Sequence, residues 1–143
     1  MSSKRKAITV SLITLGVDQL TKLLVYRFLS LRESVPVVGD FVRITFIKNP
    51  YGIFGLQFKV PFIPVTILAV CVVFLILYRS GMIPLALILG GAIGNLIDRL
   101  RFSAVIDFLD IGVRHFRWPV FNVADTAITV GILWIIIRGL KKK

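Results

Sequence analysis

VPFIPVTILAVCVVFLILY, running from Val60 to Tyr78, contains no charged side chain. Crossing the hydrocarbon core of a bilayer takes about 20 mostly apolar helical residues, so this stretch reads as a transmembrane span. The whole composition agrees with it. Hydrophobic residues make up 57% of the 143 positions and charged residues 17%, below the ~25% of ordinary soluble domains, and the mean hydropathy is +0.89. These values exclude a disordered chain and an ordinary soluble domain. Working outward from Val60–Tyr78, three more stretches qualify as spans: residues 7–28, 82–98 and 121–138. The link Tyr78-Arg79-Ser80-Gly81 is so short that spans two and three must be antiparallel neighbours. No repeat, low-complexity tract or domain boundary is visible, and residues 1–143 read as a single integral-membrane domain.

The other two connections, residues 30–59 and 99–118, are long. Within the first, VRITFIKN alternates Val42, Ile44 and Phe46 with Arg43 and Thr45, the pattern of a strand. Gly39-Asp40 before it and Asn49-Pro50-Tyr51-Gly52 after it supply turns. The expected fold is an all-α membrane protein: four transmembrane helices, with a small extracytoplasmic β-sheet between helices 1 and 2 lying on the membrane.

Eighteen Lys and Arg against seven Asp and Glu give a net charge of +11. A nucleic-acid binder would gather that charge on one face of a soluble scaffold, whereas here it falls between apolar runs, as topogenic charge does. Residues 1–6, 79–81 and 138–143 hold eight basic residues and no acid, and the two long loops hold eight diluted among acids. Density therefore places both termini in the cytoplasm and both long loops outside, with Trp118 in the outer aromatic belt and Tyr78 and Trp134 nearer the inner one. The run after Lys4-Arg5-Lys6 resembles a signal peptide, but it continues to Leu29 without an A-x-A-like site and carries Asp18 and Lys22, so it is expected to be a retained span. Cys71, the single cysteine, reads as a small apolar packing residue, and His115, the single histidine, as an interfacial loop residue; neither has a partner for a metal site.

Seven acids are few enough to place one by one. An ionisable residue in a span is costly unless it faces protein or water. Asp18 has Lys22 at i+4 on the same helical face, which predicts an internal ion pair. Asp98 closes span three in GGAIGNLIDRLRF beside Arg99 and Arg101, where pairing with arginine and a functional role are both open. Gly90, Gly91 and Gly94 in that segment allow close helix approach, and Asn95 stands one turn before Arg99. Asp107 is bracketed by Val105, Ile106, Phe108 and Leu109, neighbours that should raise its pKa. Asp125 opens span four, where Asn122 is already available as the helix cap. Two such carboxylates at one membrane face could share a proton, one activating water while the other polarises a peptide carbonyl. The parts of competing protease classes, G-x-S-x-G or H-E-x-x-H, are not in the sequence.

Several separated blocks then carry a resemblance. DQLTK (Asp18 to Lys22), GGAIGNLIDR (Gly90 to Arg99), VIDF (Val105 to Phe108) and FNVADTAI (Phe121 to Ile128) occur in the order found in bacterial lipoprotein signal peptidases, and the chain resembles that family over nearly its whole length. Asn49 and Phe54 match a further block, which departs between them by reading Asn-Pro-Tyr-Gly-Ile-Phe. The resemblance implies that Asp107 and Asp125 are the catalytic pair of an aspartic endopeptidase. It also implies supporting or substrate-contacting roles for Asp18, Lys22, Asn49, Asn95, Asp98, Arg99, Asn122 and Ala124. The implied reaction removes the signal peptide of diacylglyceryl-modified prolipoproteins just before the lipidated cysteine, in the bacterial inner membrane near its outer face, with no metal or organic cofactor. Substrate and membrane lipid are the expected partners, without nucleic acid, and the protein is expected to be a monomer. Asp110 belongs to no block and reads, with Glu33 and Asp40, as a loop charge. The alternative is a small proton-coupled transporter or channel with Asp18, Lys22 and Asp98 as an ion relay, which would distribute its acids through the depth of the spans and favour an inverted repeat.

Overall fold

A computed structural model describes residues 2–50 and 62–141. Four helices carry the architecture: α1 (Ser3–Phe28), α2 (Phe62–Ser80), α3 (Ile83–Phe102) and α4 (Val123–Leu140). Each is long and apolar enough to cross a membrane. The inward stripe of α1 is Ala7, Ser11, Thr14, Asp18, Lys22 and Val25, a helical spacing, while Leu12, Ile13, Leu20 and Leu23 face outward and are more than half exposed. Polar inside and apolar outside is the pattern expected when the surrounding solvent is lipid, because internal polar groups then need partners within the protein.

Helix α3 is central: half of its span is buried, against 6% for the peripheral α2. Its small residues make this possible. A Cβ at Gly90 would collide with the Ser11 carbonyl of α1, and one at Gly91 with the Ala124 carbonyl of α4, so both neighbours approach to backbone contact. The α2–α3 link turns at Gly81, whose φ of +63° favours glycine, and its carbonyl accepts a bond from Ser3 Oγ at 2.9 Å. Helix α3 continues past the expected end at residue 98 to Phe102, because Arg99 and Arg101 are favourable at the negative C-terminal end of the helix.

The largest correction concerns the sheet. It has four antiparallel strands in the order β1 (Ser34–Val38), β2 (Val42–Asn49), β3 (Val105–Val113) and β4 (Phe116–Arg117). The protein is therefore not all-α, and the sheet is not confined to the connection between the first two helices: β3 and β4 come from the connection between α3 and α4. VIDFLDIGV can take this place because both faces of its first half are covered. Ile106 and Phe108 pack with Val25 and Phe46 against the end of α1, and Asp107 on the other face is only 3% exposed. Of the expected second turn, Tyr51 and Gly52 lie outside the described residues, as does Phe54. Cys71 is also placed differently, exposed on α2 on a face that would meet lipid.

Candidate active site

Two local devices bring Asp107 and Asp125 to one place. The register of β2 against β3 shifts between the pairs Ile44–Leu109 and Ile47–Asp107, one extra residue on β2. Such a bulge re-aims side chains, and beyond it Asn49 Nδ2 donates to Asp107 Oδ2 at 3.0 Å. The segment leading into α4 is then fastened to β3: the Phe121 carbonyl accepts from the N–H groups of Phe108 and Leu109, and the Phe121 N–H donates to the Leu109 carbonyl. Helix α4 therefore starts beside the strand that carries Asp107.

Asn122 occupies the joint between them and is fully buried. Its Oδ1 accepts from the Asp125 N–H at 2.8 Å, capping α4. Its Nδ2 donates to Asp107 Oδ1 at 2.7 Å and makes longer bonds to Asn95 Oδ1 and the Ile106 carbonyl, both 3.3 Å. Asn95 in turn donates from Nδ2 to Asp125 Oδ1 at 2.8 Å. Each carboxylate is thus held by at least one asparagine, and the two amides are joined to each other.

Behind this pair lies a buried ionic group. Lys22 Nζ is 2.9 Å from Asp18 Oδ2, 2.9 Å from Asp98 Oδ2 and 2.8 Å from Asn95 Oδ1. The expected Asp18–Lys22 pair is present, and Asp98 makes its close ion pair with Lys22 on another helix. Arg99 lies within electrostatic reach of Asp125, Asp107 and Asp98. Ala124 is fully buried, and its N–H donates to Asp18 Oδ1 at 2.8 Å. All ten residues singled out in the sequence, Asp18, Lys22, Asn49, Asn95, Asp98, Arg99, Asp107, Asn122, Ala124 and Asp125, therefore fall in this region.

Gln19 was not singled out although it stands inside DQLTK. Its Nε2 lies 3.3 Å from Asp18 Oδ2 and 3.2 Å from both the Gly94 carbonyl and Asp98 Oδ1. An amide inside an apolar span, next to an acid, was the available signal. Asp110 differs more from its expected role as a loop charge. It is 6% exposed, bonded to Arg117 Nε at 2.7 Å and to Thr45 Oγ1 at 2.8 Å, on the sheet and away from the bonds that hold Asp107 and Asp125.

The sheet moves two of its carboxyls in opposite directions. Asp107 is pushed up to about 7, first by burial and then by the Asp125 carboxylate, against the lowering effect of Asn49, Asn122 and Lys22. Asp40, exposed at the far tip, is held below its ordinary value by the Arg114 N–H and the Arg43 guanidinium. A carboxyl poised near neutrality beside a second carboxyl can take and give protons at working pH. Among the described residues, no group of three or more His, Cys, Asp and Glu side chains is placed to hold a metal ion, and no buried side-chain polar atom lacks a hydrogen-bond partner.

A helical bundle able to cross a membrane, with two carboxyls held by amides where it meets a sheet, defines a membrane protein equipped for acid–base chemistry. Residues 10–141 match the family model described as signal peptidase II. A lipoprotein signal peptidase from Syntrophus aciditrophicus is 40% identical over 97% of both chains, and one from Syntrophotalea carbinolica is 44% identical over 90% of this chain and 86% of its own. A solved bacterial membrane enzyme superposes with a TM-score of 0.85 at 29% identity, covering 95% of this chain and 88% of that one. The chain belongs to the signal peptidase II family.

Proposed function

We propose that this protein removes signal peptides from diacylglyceryl-modified prolipoproteins, cutting before the lipidated cysteine, with Asp107 and Asp125 as its catalytic pair. The observation that carries this reading is the buried Asp107 carboxyl, poised near neutrality beside Asp125 and tied to it through Asn122. One carboxylate takes a proton from water as the water oxygen bonds to the scissile carbonyl carbon. The partner carboxylic acid gives its proton to the carbonyl oxygen. Collapse of the tetrahedral intermediate breaks the C–N bond: the departing amine receives the proton held since the first step, and one hydroxyl of the intermediate returns its proton to the partner carboxylate as the carbonyl re-forms, which restores the pair. The two carboxyls titrate as one unit, and general base is a role of the pair.

In this reading Asn49 and Asn122 orient Asp107, and Asn95 orients Asp125. Arg99 faces the peptide carbonyls, and Asp18, Asp98 and Ala124 support the joint. The chain acts as one integral-membrane unit, a monomer, with both termini cytoplasmic and the sheet at the outer face of the bacterial inner membrane. A lipidated substrate then reaches the carboxyls laterally through the bilayer.

Purified wild type, Asp107→Asn and Asp125→Asn should be incubated in lipid with a diacylglyceryl-modified prolipoprotein and with its unmodified precursor. Wild type cleaves only the modified substrate, and each variant loses activity by about a thousandfold or more, the scale expected when an acid–base group is removed. Near wild-type cleavage by either variant removes the catalytic assignment, and processing of the unmodified precursor alone removes the substrate assignment.

A further inference from the structure

Lys22 is 2% exposed, and its ammonium has three acceptors within 2.9 Å. An ammonium has three N–H donors and no acceptor, so its capacity is filled by Asp18, Asp98 and Asn95. Each of those three acceptors holds a further group next to or on the carboxyl pair. Asp18 Oδ1 accepts the backbone N–H of Ala124, the residue before Asp125, at 2.8 Å. Asp98 Oδ2 accepts the backbone N–H of Ile106, the residue before Asp107, at 3.0 Å. Asn95 bonds the Asp125 side chain directly.

The two arms are therefore alike: one carboxylate from α1 grips the backbone just ahead of one member of the pair, and one from α3 grips it just ahead of the other. The cation that joins them is the same. The third contact fixes an ambiguity, since an asparagine amide can point either way. An ammonium can only donate, so Asn95 must turn Oδ1 toward Lys22, which leaves Nδ2 for Asp125.

Resting on the assignment of Asp107 and Asp125 proposed above, we infer that Lys22 is the positioning residue of the pair. Its ammonium sets the placement of β3 against α4 through Asp98 and Asp18, and it fixes which end of the Asn95 amide meets Asp125. Lys22 touches neither carboxyl of the pair and acts through its three acceptors.

The test needs a variant that folds. Lys22→Met alone would leave two carboxylates, Asp18 and Asp98, buried without their cation, so it is combined with Asp98→Asn, whose amide oxygen still accepts the Ile106 N–H, while Asp18, left as the single acid, takes up a proton and keeps its other oxygen for the Ala124 N–H. Asp98→Asn alone serves as reference and isolates the ammonium. The double variant is expected to match the reference in Tm within a few degrees. Its kcat should fall by about a hundredfold, as for a pair displaced by around an ångström, with KM changed by less than about threefold. A second readout needs no substrate: the protonation midpoint of Asp107, followed by its carboxyl infrared band and assigned by its loss in Asp107→Asn. The charged groups facing Asp107 are Asp125 from α4, Arg99 from α3 and Lys22 from α1, with the uncharged Asn49 from β2. Lys22 lowers the midpoint, so its removal moves it upward from the reference value. A double variant with the reference kcat overturns the inference, as does a fall in kcat with an unmoved midpoint, which would make Lys22 a structural residue only. If wild type does not cleave prolipoprotein, the functional reading fails, while an unmoved midpoint still overturns the link from Lys22 to Asp107 on its own.

Discussion

At the scale of single residues, Asp107 makes folding itself pH-dependent. Its carboxyl titrates at about 7 in the folded protein, against an ordinary 3.8. Between those values the folded state holds a proton that the unfolded state has released, so stability falls as pH rises through the window and is level above it. Burial explains the sign, since it disfavours the charged form more than Asn49 and Asn122 favour it. Asp107→Asn removes the titration, and in thermal unfolding from pH 4 to pH 8 the variant should gain on wild type, by an amount on the order of a few kcal/mol. A constant difference in Tm across that range would contradict the raised pKa. Asp107 was legible because Val105, Ile106, Phe108 and Leu109 enclose an acid in a chain that has few. Asp110, only three residues later, reads as a loop charge because its partners Thr45 and Arg117 meet it through strand pairing, which local sequence does not display.

At the scale of elements, close packing of α3 against α1 and α4 gives a sharp contrast among glycines. Gly91→Ala sets a methyl group against the backbone carbonyl of Ala124, which cannot yield as a side-chain end can. A loss of about 1–3 kcal/mol is expected, as for other overpacked sites. Gly16 in α1 has nothing within 4 Å of an added Cβ, and Gly16→Ala should stabilise by about 0.5–1 kcal/mol through helix propensity alone. Opposite shifts of Tm for the two variants check this packing. The helices were readable from apolar run length, and β2 from the alternation in Val42–Asn49. Strand β3 was not, because VIDFLDIGV is apolar on both sides of its acids and its pairing partner lies some sixty residues earlier in the chain. The bulge that places Asn49 beside Asp107 is a property of two strands together and leaves no mark in either alone.

At the scale of the whole molecule, four helices able to cross a membrane put both termini on one side if each crosses once, and the orientation proposed above, with that side cytoplasmic, has a direct check. With Cys71 as the single native cysteine, Cys71→Ser gives a cysteine-free background. His115→Cys, in the turn between β3 and β4, should then react with an impermeant maleimide from outside intact spheroplasts, and Ser2→Cys only after lysis. The reverse pattern would invert the orientation. The hydrogen bond between Asp18 of α1 and the Ala124 N–H of α4 spans 106 positions of chain. During synthesis α1 is made first and α4 last, so the first helix carries a carboxylate whose backbone partner does not yet exist. Asp107 and Asp125 therefore come together only once the final helix is in place, and the hold of the first helix on the last is the closing contact of the fold.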